Sequence, residues 1–124
     1  MKHLTRLSMG VLCTTLVLGF ASQTTMAQDV VQVAPQQYKV LLENERVRVI
    51  EYQSKSGEKA GMHAHPAQVF YSFSPAKFKF TSPDGNTAEV EVKAGQVMWL
   101  DPVTHTTENA GTTNAHGLVI ELKK

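Results

Sequence analysis

Three histidines in the chain have the residue type and the spacing that suit a metal site. His63 and His65 flank a single alanine, so in an extended strand their imidazoles lie on the same face. His105 comes much later, after a turn at Pro102. Neutral imidazole is the commonest metal ligand in proteins, and three such rings on one face suit a divalent transition metal. The spacing alone leaves a second interpretation open, in which the pair are surface or turn histidines beside Pro66.

Short strand-like runs, separated by turn residues, are the elements that must position these histidines. Lysine alternates with phenylalanine over residues 77–80, and glutamate with valine over residues 89–92. This alternation predicts strands with one face exposed to solvent and the other packed against the core. The predicted strands are Tyr38–Leu42, Arg46–Tyr52, Val69–Phe73, Lys77–Thr81, Thr87–Val92, Gln96–Leu100, Thr104–Asn109 and Leu118–Leu122. Because no stretch after Pro35 has a sustained helical period, the pattern predicts an all-β sandwich or barrel.

Composition excludes several classes of protein. The chain has 124 residues, which suits a single domain, and its 42% hydrophobic and 19% charged residues are ordinary for a globular protein. Its 12 basic and 11 acidic residues produce no broad cationic field, so no nucleic-acid partner is expected. A single cysteine rules out an internal disulfide framework and a cysteine-rich zinc module.

Residues 1–27 have the layout of a secretory signal peptide. Lys2 and Arg6 form a positive start, an apolar run follows, and the last residues before Gln28 are small and polar. The apolar run is shorter than the roughly 20 residues that a transmembrane helix needs, which disfavours the alternative of a membrane anchor. Cleavage after Ala27 is predicted to leave a periplasmic or secreted chain with no membrane attachment and no cysteine.

Two segments of the chain resemble the two motifs of the cupin family. Gly57–His65 matches the start of the first motif, a glycine followed after five residues by His-x-His. Ala94–Asn109 is similar to the second motif, which ends in a histidine, three residues and an asparagine. The resemblance implies an antiparallel jelly-roll barrel, the cupin β-barrel, over residues 38–124, with a metal inside. Residues 28–37, which contain three valines and a proline, are interpreted as an extended arm before the barrel.

The resemblance carries the family's metal ligands to His63, His65 and His105, but not its usual carboxylate. The glutamate that normally follows the second histidine of the first motif aligns with Val69, with Gln68 beside it. The implied site therefore has three neutral imidazoles and leaves coordination positions open, as in the cupin dioxygenases that lack this glutamate. The expected cofactor is a divalent transition metal, and Fe, Mn, Ni, Cu and Zn all remain open.

Five residues are predicted to form a pocket beside the metal. Tyr71 and Phe73 have the same strand parity as Val69 and are expected to line the barrel, with plain core packing as the alternative. Gln68 is placed to hydrogen-bond a ligand or a metal-bound water, unless it ends a solvated strand. Met98 lies on the strand that leads to the second motif's histidine, where filling a gap in the core is the alternative role.

Two functions are consistent with this site. The first is a metal-dependent enzyme, an oxygenase or a related lyase or isomerase, that acts on a small organic molecule. The second is a non-catalytic barrel that binds a metal or a small ligand, which the missing glutamate favours. The residues do not decide between these two. A homodimer is also expected, because a small barrel has exposed strand edges and the arm is available to lie across a neighbour.

Overall fold

The computed structural model describes residues 28–124, and the predicted signal peptide lies outside the described residues. Within that range the chain forms one short helix and nine strands. Their bounds are α1 Val30–Val33, β1 Tyr38–Glu43, β2 Val47–Ser54, β3 Lys59–His65, β4 Gln68–Ser72, β5 Ala76–Thr81, β6 Thr87–Val92, β7 Val97–Leu100, β8 Val103–Asn109 and β9 Ala115–Leu122. In the part of the chain described, no helix has the length and apolar character needed to cross a membrane.

The strands form two antiparallel sheets. Five strands pair in the order β1-β2-β9-β4-β7, and four pair in the order β3-β8-β5-β6. Between β2 and β9 the chain passes from one sheet to the other six times, so strands far apart in sequence, such as β2 and β9, become neighbours. This is the antiparallel jelly-roll barrel that the sequence predicts, and the structure confirms the fold class.

Aromatic side chains from both sheets meet between them. Tyr52 of β2 packs edge to face on Phe78 of β5 with ring centroids 5.8 Å apart, and Phe70 of β4 lies 5.7 Å from the same ring. Ile50 and Val119 add buried aliphatic side chains to this core. Edge-to-face contacts suit the charge distribution of aromatic rings, so they join the two sheets with specific geometry as well as apolar burial.

The segment 28–37 differs from the extended arm predicted for it. Asp29 pairs with Ala64 of β3 in an isolated parallel bridge and then caps α1, its carboxylate accepting a hydrogen bond from the Val31 amide at 2.9 Å. The side chain of Val30 is fully buried. Aspartate is a strong N-cap residue, so it starts a short helix in a valine-rich run whose composition favours extended structure.

Asn109, which ends the second motif, fixes the loop between β8 and β9. It is fully buried, and its Nδ2 donates hydrogen bonds to the carbonyls of Ser54 at 3.2 Å and Thr113 at 2.9 Å. Its Oδ1 accepts a hydrogen bond from the Gly111 amide at 3.1 Å. These three bonds join β8 to β2 and to the loop, and they hold in place the strand that carries His105.

Candidate metal centre

Two neighbouring strands of the four-stranded sheet carry the three histidines. β3 provides His63 and His65, and β8 provides His105, which is paired directly with His63 across the two strands. Alternation puts both β3 rings on one face, and the antiparallel pairing puts His105 on the same face. The register shifts between Ala60 and His63, so an irregularity in the ladder precedes the site.

The three imidazoles form a compact, buried group. Ring centroids lie 4.9 Å apart for His63 and His65, 5.0 Å for His63 and His105, and 5.6 Å for His65 and His105. One ligating nitrogen from each ring lies within 4.8 Å of the other two. Phe80 stacks on His105, with ring centroids 4.9 Å apart. The structure thus brings together the three histidines that the motifs single out, in a group able to hold one ion.

The hydrogen bonds of the site leave imidazole nitrogens available for a metal. His63 Nδ1 donates to the carbonyl of Gly61 at 2.6 Å, while its Nε2 is buried and has no hydrogen-bond partner. His65 Nδ1 donates to the carboxylate of Glu121 at 2.7 Å, so the lone pair of that ring is on Nε2. A buried polar atom without a partner costs about 1–3 kcal/mol, which a bound ion would recover. The donor set therefore fits a divalent transition metal.

Burial keeps two of the rings in the neutral form that binds metal ions. It lowers the pKa of His63 to about 4, against the smaller opposing effect of the hydrogen bond to Gly61. Burial, followed by repulsion from the other two histidines, lowers the pKa of His105 to about 3. Both rings are therefore unprotonated at neutral pH and have a lone pair to offer.

Glu121 is a buried residue of this site that sequence reasoning missed. Its two carboxylate oxygens accept hydrogen bonds from His65 Nδ1 at 2.7 Å and from Arg48 Nε at 2.8 Å. The Arg48 guanidinium also pairs with Asp29 before α1. One signal was present in the sequence, because Glu121 has the same parity as Val119 in a strand whose alternate residues are buried. An acidic residue at a core position indicates a paired or ligating group.

A small cavity that opens to solvent lies beside the histidines. Its wall is mainly aromatic and aliphatic, and its polar side chains include His65, His105 and Gln68. Gln68 is buried, and its Oε1 has no hydrogen-bond partner. Among the residues that the structure describes, no aspartate, glutamate, lysine or arginine lines this cavity.

The five predicted pocket residues divide into two groups. Gln68 and Met98 line the cavity, whereas Val69, Tyr71 and Phe73 do not. Phe73 is 45% exposed, and its ring packs on that of Tyr71 with centroids 5.2 Å apart. The prediction for these three residues is corrected: they lie on the other face of the sheet from the cavity.

The physical reason is a change of strand phase. The prediction rests on aligning Val69 with the glutamate of the cupin motif. However, β3 ends at His65, and the chain crosses to the other sheet at residues 66–67 before β4 begins at Gln68. Gln68 and Phe70 therefore face the cavity, and Val69 between them points to the opposite face. A carboxylate at position 69 would not enter the site.

Comparison with known proteins gives structural relatives only. No family model matches the chain, and no curated protein matches it. Among solved structures, it is similar to a cupin domain from Bordetella pertussis Tohama I, with 25% identity and a TM-score of 0.64 over 70% of this chain and 92% of that one. It is also similar to an RmlC-like cupin with a double-stranded β-helix fold from Methanocaldococcus jannaschii, with 12% identity and a TM-score of 0.57 over 89% and 92% of the two chains.

These likenesses agree with the all-β, antiparallel fold of the described residues. A cupin-2 domain protein from Shewanella frigidimarina NCIMB 400 aligns with a TM-score of 0.50 and 14% identity over 70% of this chain and 80% of that one. Relatives this distant in sequence establish the fold and leave the chemistry to the site itself. The described part of the chain has the antiparallel double-stranded β-helix fold of these cupin structures, with three buried histidines able to hold a metal ion.

Proposed function

We propose that this protein is an exported cupin that binds one divalent transition metal through His63, His65 and His105. The observation that carries the proposal is the buried Nε2 of His63, which has no hydrogen-bond partner and belongs to a group of three imidazoles. Three protein ligands leave further coordination positions free for a substrate or water. When bound, the metal would supply Lewis-acid chemistry and, if it is iron or copper, redox chemistry as well.

The adjoining cavity supports a small, mostly apolar organic molecule as the ligand. Its wall is mainly aromatic and aliphatic, and no aspartate, glutamate, lysine or arginine of the described residues lines it. Gln68 Oε1 is a buried acceptor placed to receive a hydrogen bond from that molecule, and the buried hydroxyl of Tyr52, also without a partner, lines the same cavity. Neutral groups of this kind orient a ligand without demanding that it carry a charge.

An oxygenase-type reaction is the activity that this arrangement supports best. His63, His65 and His105 would hold an ion next to the cavity, and the ion would supply the open coordination positions that chemistry between an organic molecule and dioxygen requires. A lyase or isomerase reaction needs a general base within reach of the substrate. No carboxylate lines the cavity in the described residues, and Glu121 is held by His65 and Arg48.

The same lack of a base favours a second candidate, a non-catalytic barrel that binds a metal or a small ligand. The site would then hold its ligand in the apolar cavity without converting it. Both candidates share the metal centre and differ in turnover, so one series of measurements separates them.

Calorimetric titration with Fe(II), Mn(II), Ni(II), Cu(II) and Zn(II) tests the metal centre. We expect one ion per chain in the wild type and none in His65→Ala with the barrel still folded. His116→Ala is the matched control, because His116 pairs with Glu51 at 3.1 Å, away from the three-histidine group. Oxygen uptake with small carbonyl and thiol compounds then distinguishes the candidates. Metal binding without uptake supports the binding barrel, and a wild type that takes up no metal overturns the metal centre.

The proposal includes export of the protein and formation of a homodimer. Gln28, the first residue of the predicted mature chain, already contacts the barrel through a hydrogen bond from the Ala64 amide to its carbonyl at 2.9 Å. The mass of the protein from a periplasmic extract should correspond to a chain that begins at Gln28. Protein that retains Met1 in the cytosol would contradict export. We also propose that the mature chain forms a homodimer through the exposed edge strand β7.

A further inference from the structure

Three polar side chains form a row across the five-stranded sheet next to the metal centre. Arg48 of β2 is paired in register with Glu121 of β9, which is paired in turn with Gln68 of β4. Residues directly opposite one another on adjacent strands lie on the same face of a sheet. Glu121 therefore occupies the middle of the row and is the member that contacts a histidine of the site.

Each carboxylate oxygen of Glu121 has its own partner. Oε1 accepts a hydrogen bond from His65 Nδ1 at 2.7 Å. Oε2 accepts one from Arg48 Nε at 2.8 Å and lies 2.7 Å from Nη2 of the same guanidinium, which also pairs with Asp29. The side chain of Glu121 is 4% exposed and that of Arg48 is 15% exposed. Two contacts from one guanidinium fix the orientation of the carboxylate and stabilise its negative charge.

We propose that Glu121 is the positioning residue of the metal centre, holding His65 in the tautomer that binds the ion and giving that ring a charged hydrogen-bond acceptor. The inference rests on the proposed metal site. An ionised carboxylate can only accept a hydrogen bond, so it keeps the His65 proton on Nδ1 and leaves Nε2 as the ligand atom.

Comparison with His63 shows what a charged hydrogen-bond partner adds at His65. Its Nδ1 donates to a neutral acceptor, the Gly61 carbonyl, at 2.6 Å, which also fixes the tautomer. A carboxylate partner does the same and in addition makes the ring a stronger donor to the metal. The two histidines of β3 are therefore both oriented, but only His65 has a charged partner, and Arg48 with Asp29 holds that partner in place before any ion arrives.

The test compares Glu121→Ala and Glu121→Gln with wild type, using Co(II) as the probe and its visible absorption as the readout. Glu51→Gln is the matched control, because Glu51 pairs with His116 in a second glutamate–histidine contact, at 3.1 Å. Loss of such a partner typically weakens metal binding by about 10–100-fold, which is the loss expected for Glu121→Ala, with a changed Co(II) spectrum per bound ion. Glu121→Gln keeps an acceptor for His65 and should lose less affinity, while Glu51→Gln should match wild type.

The outcomes separate this inference from the metal site on which it rests. Glu121→Ala with the affinity and spectrum of wild type overturns the positioning role, even where its melting temperature is lower, because that is the result of a purely structural contact. Wild-type protein that binds no Co(II) overturns the metal site itself. If Glu121→Ala does not fold, Glu121→Gln decides: weaker binding with a changed spectrum supports the inference, and unchanged binding and spectrum overturn it.

Discussion

At the scale of single residues, burial prepares the histidines for a metal and makes them sensitive to acid. A protonated His63 or His105 would be a buried cation beside other imidazoles, so the folded chain disfavours it. Burial lowers the pKa of both His63 and His105 well below the ordinary histidine value of 6.5. The fold thus keeps both rings in the protonation state that binds a metal. Lowering the pH therefore opposes both folding and metal binding.

Lowering the pH should therefore destabilise the metal-free protein. Both rings titrate near 6.5 in the unfolded chain but near 4 for His63 and near 3 for His105 in the folded one. The unfolded state binds more protons between these values, so the free energy of unfolding falls as the pH drops below about 6.5 and continues to fall to about 3. Thermal unfolding of the metal-free protein from about pH 8 to about pH 4 measures this slope. His105→Gln should flatten it, and an unchanged slope in that variant would contradict the assignment.

The contrast between the histidines and Glu121 shows which part of the site the sequence could predict. The sequence predicts that His63 and His65 lie on one face, because this follows from the geometry of a single strand. The resemblance to the second cupin motif adds His105 to the predicted ligands. Glu121 contributes from β9, which pairs with β2 and β4. Those neighbours are set by the whole topology, so no local pattern links Glu121 to His65.

At the scale of elements, the crossing from β3 to β4 decides which side chains enter the site. The alternating runs predict most of the strands, because alternation is a local property of a half-buried sheet. The phase of β4 relative to β3 is not local, since two residues outside any strand separate them. Gln68 faces the cavity, whereas Val69 faces away from it, and the sequence could not establish this without knowing where the chain changes sheet.

Gln68→Glu should therefore strengthen metal binding, whereas Val69→Glu should not. The first variant puts a carboxylate into the cavity that His65 and His105 border, and we expect at least about tenfold tighter binding, equal to about 1.4 kcal/mol. The metal-free Gln68→Glu protein should melt at a lower temperature, because its new charge lies across from Glu121. Calorimetric titration and thermal unfolding measure the two effects. Equal metal affinities in both variants would show that β4 has been assigned the wrong phase.

At the scale of the whole molecule, both edges of the five-stranded sheet expose apolar side chains. On β7, Val97 is 62% exposed and Trp99 is 57% exposed, while Met98 between them lines the cavity. On β1, at the opposite edge, Leu41 and Leu42 are each about half exposed. Exposed apolar groups on an unpaired edge strand favour association with another chain, and a second copy is the partner that we propose.

The edge at β7 is the better candidate for a dimer contact, because it presents a tryptophan. Tryptophan is enriched among the interface residues whose truncation costs about 2 kcal/mol or more. Trp99 Nε1 donates a hydrogen bond to Asp101 at 3.0 Å, so its ring is already oriented and loses little freedom on binding. Light scattering at micromolar concentration should give the mass of two chains for the mature protein and of one chain for Trp99→Asp. Leu41→Asp, an equivalent change at the opposite edge, should leave the dimer intact. A wild-type monomer, or a dimer that survives Trp99→Asp, would show that β7 is not the interface.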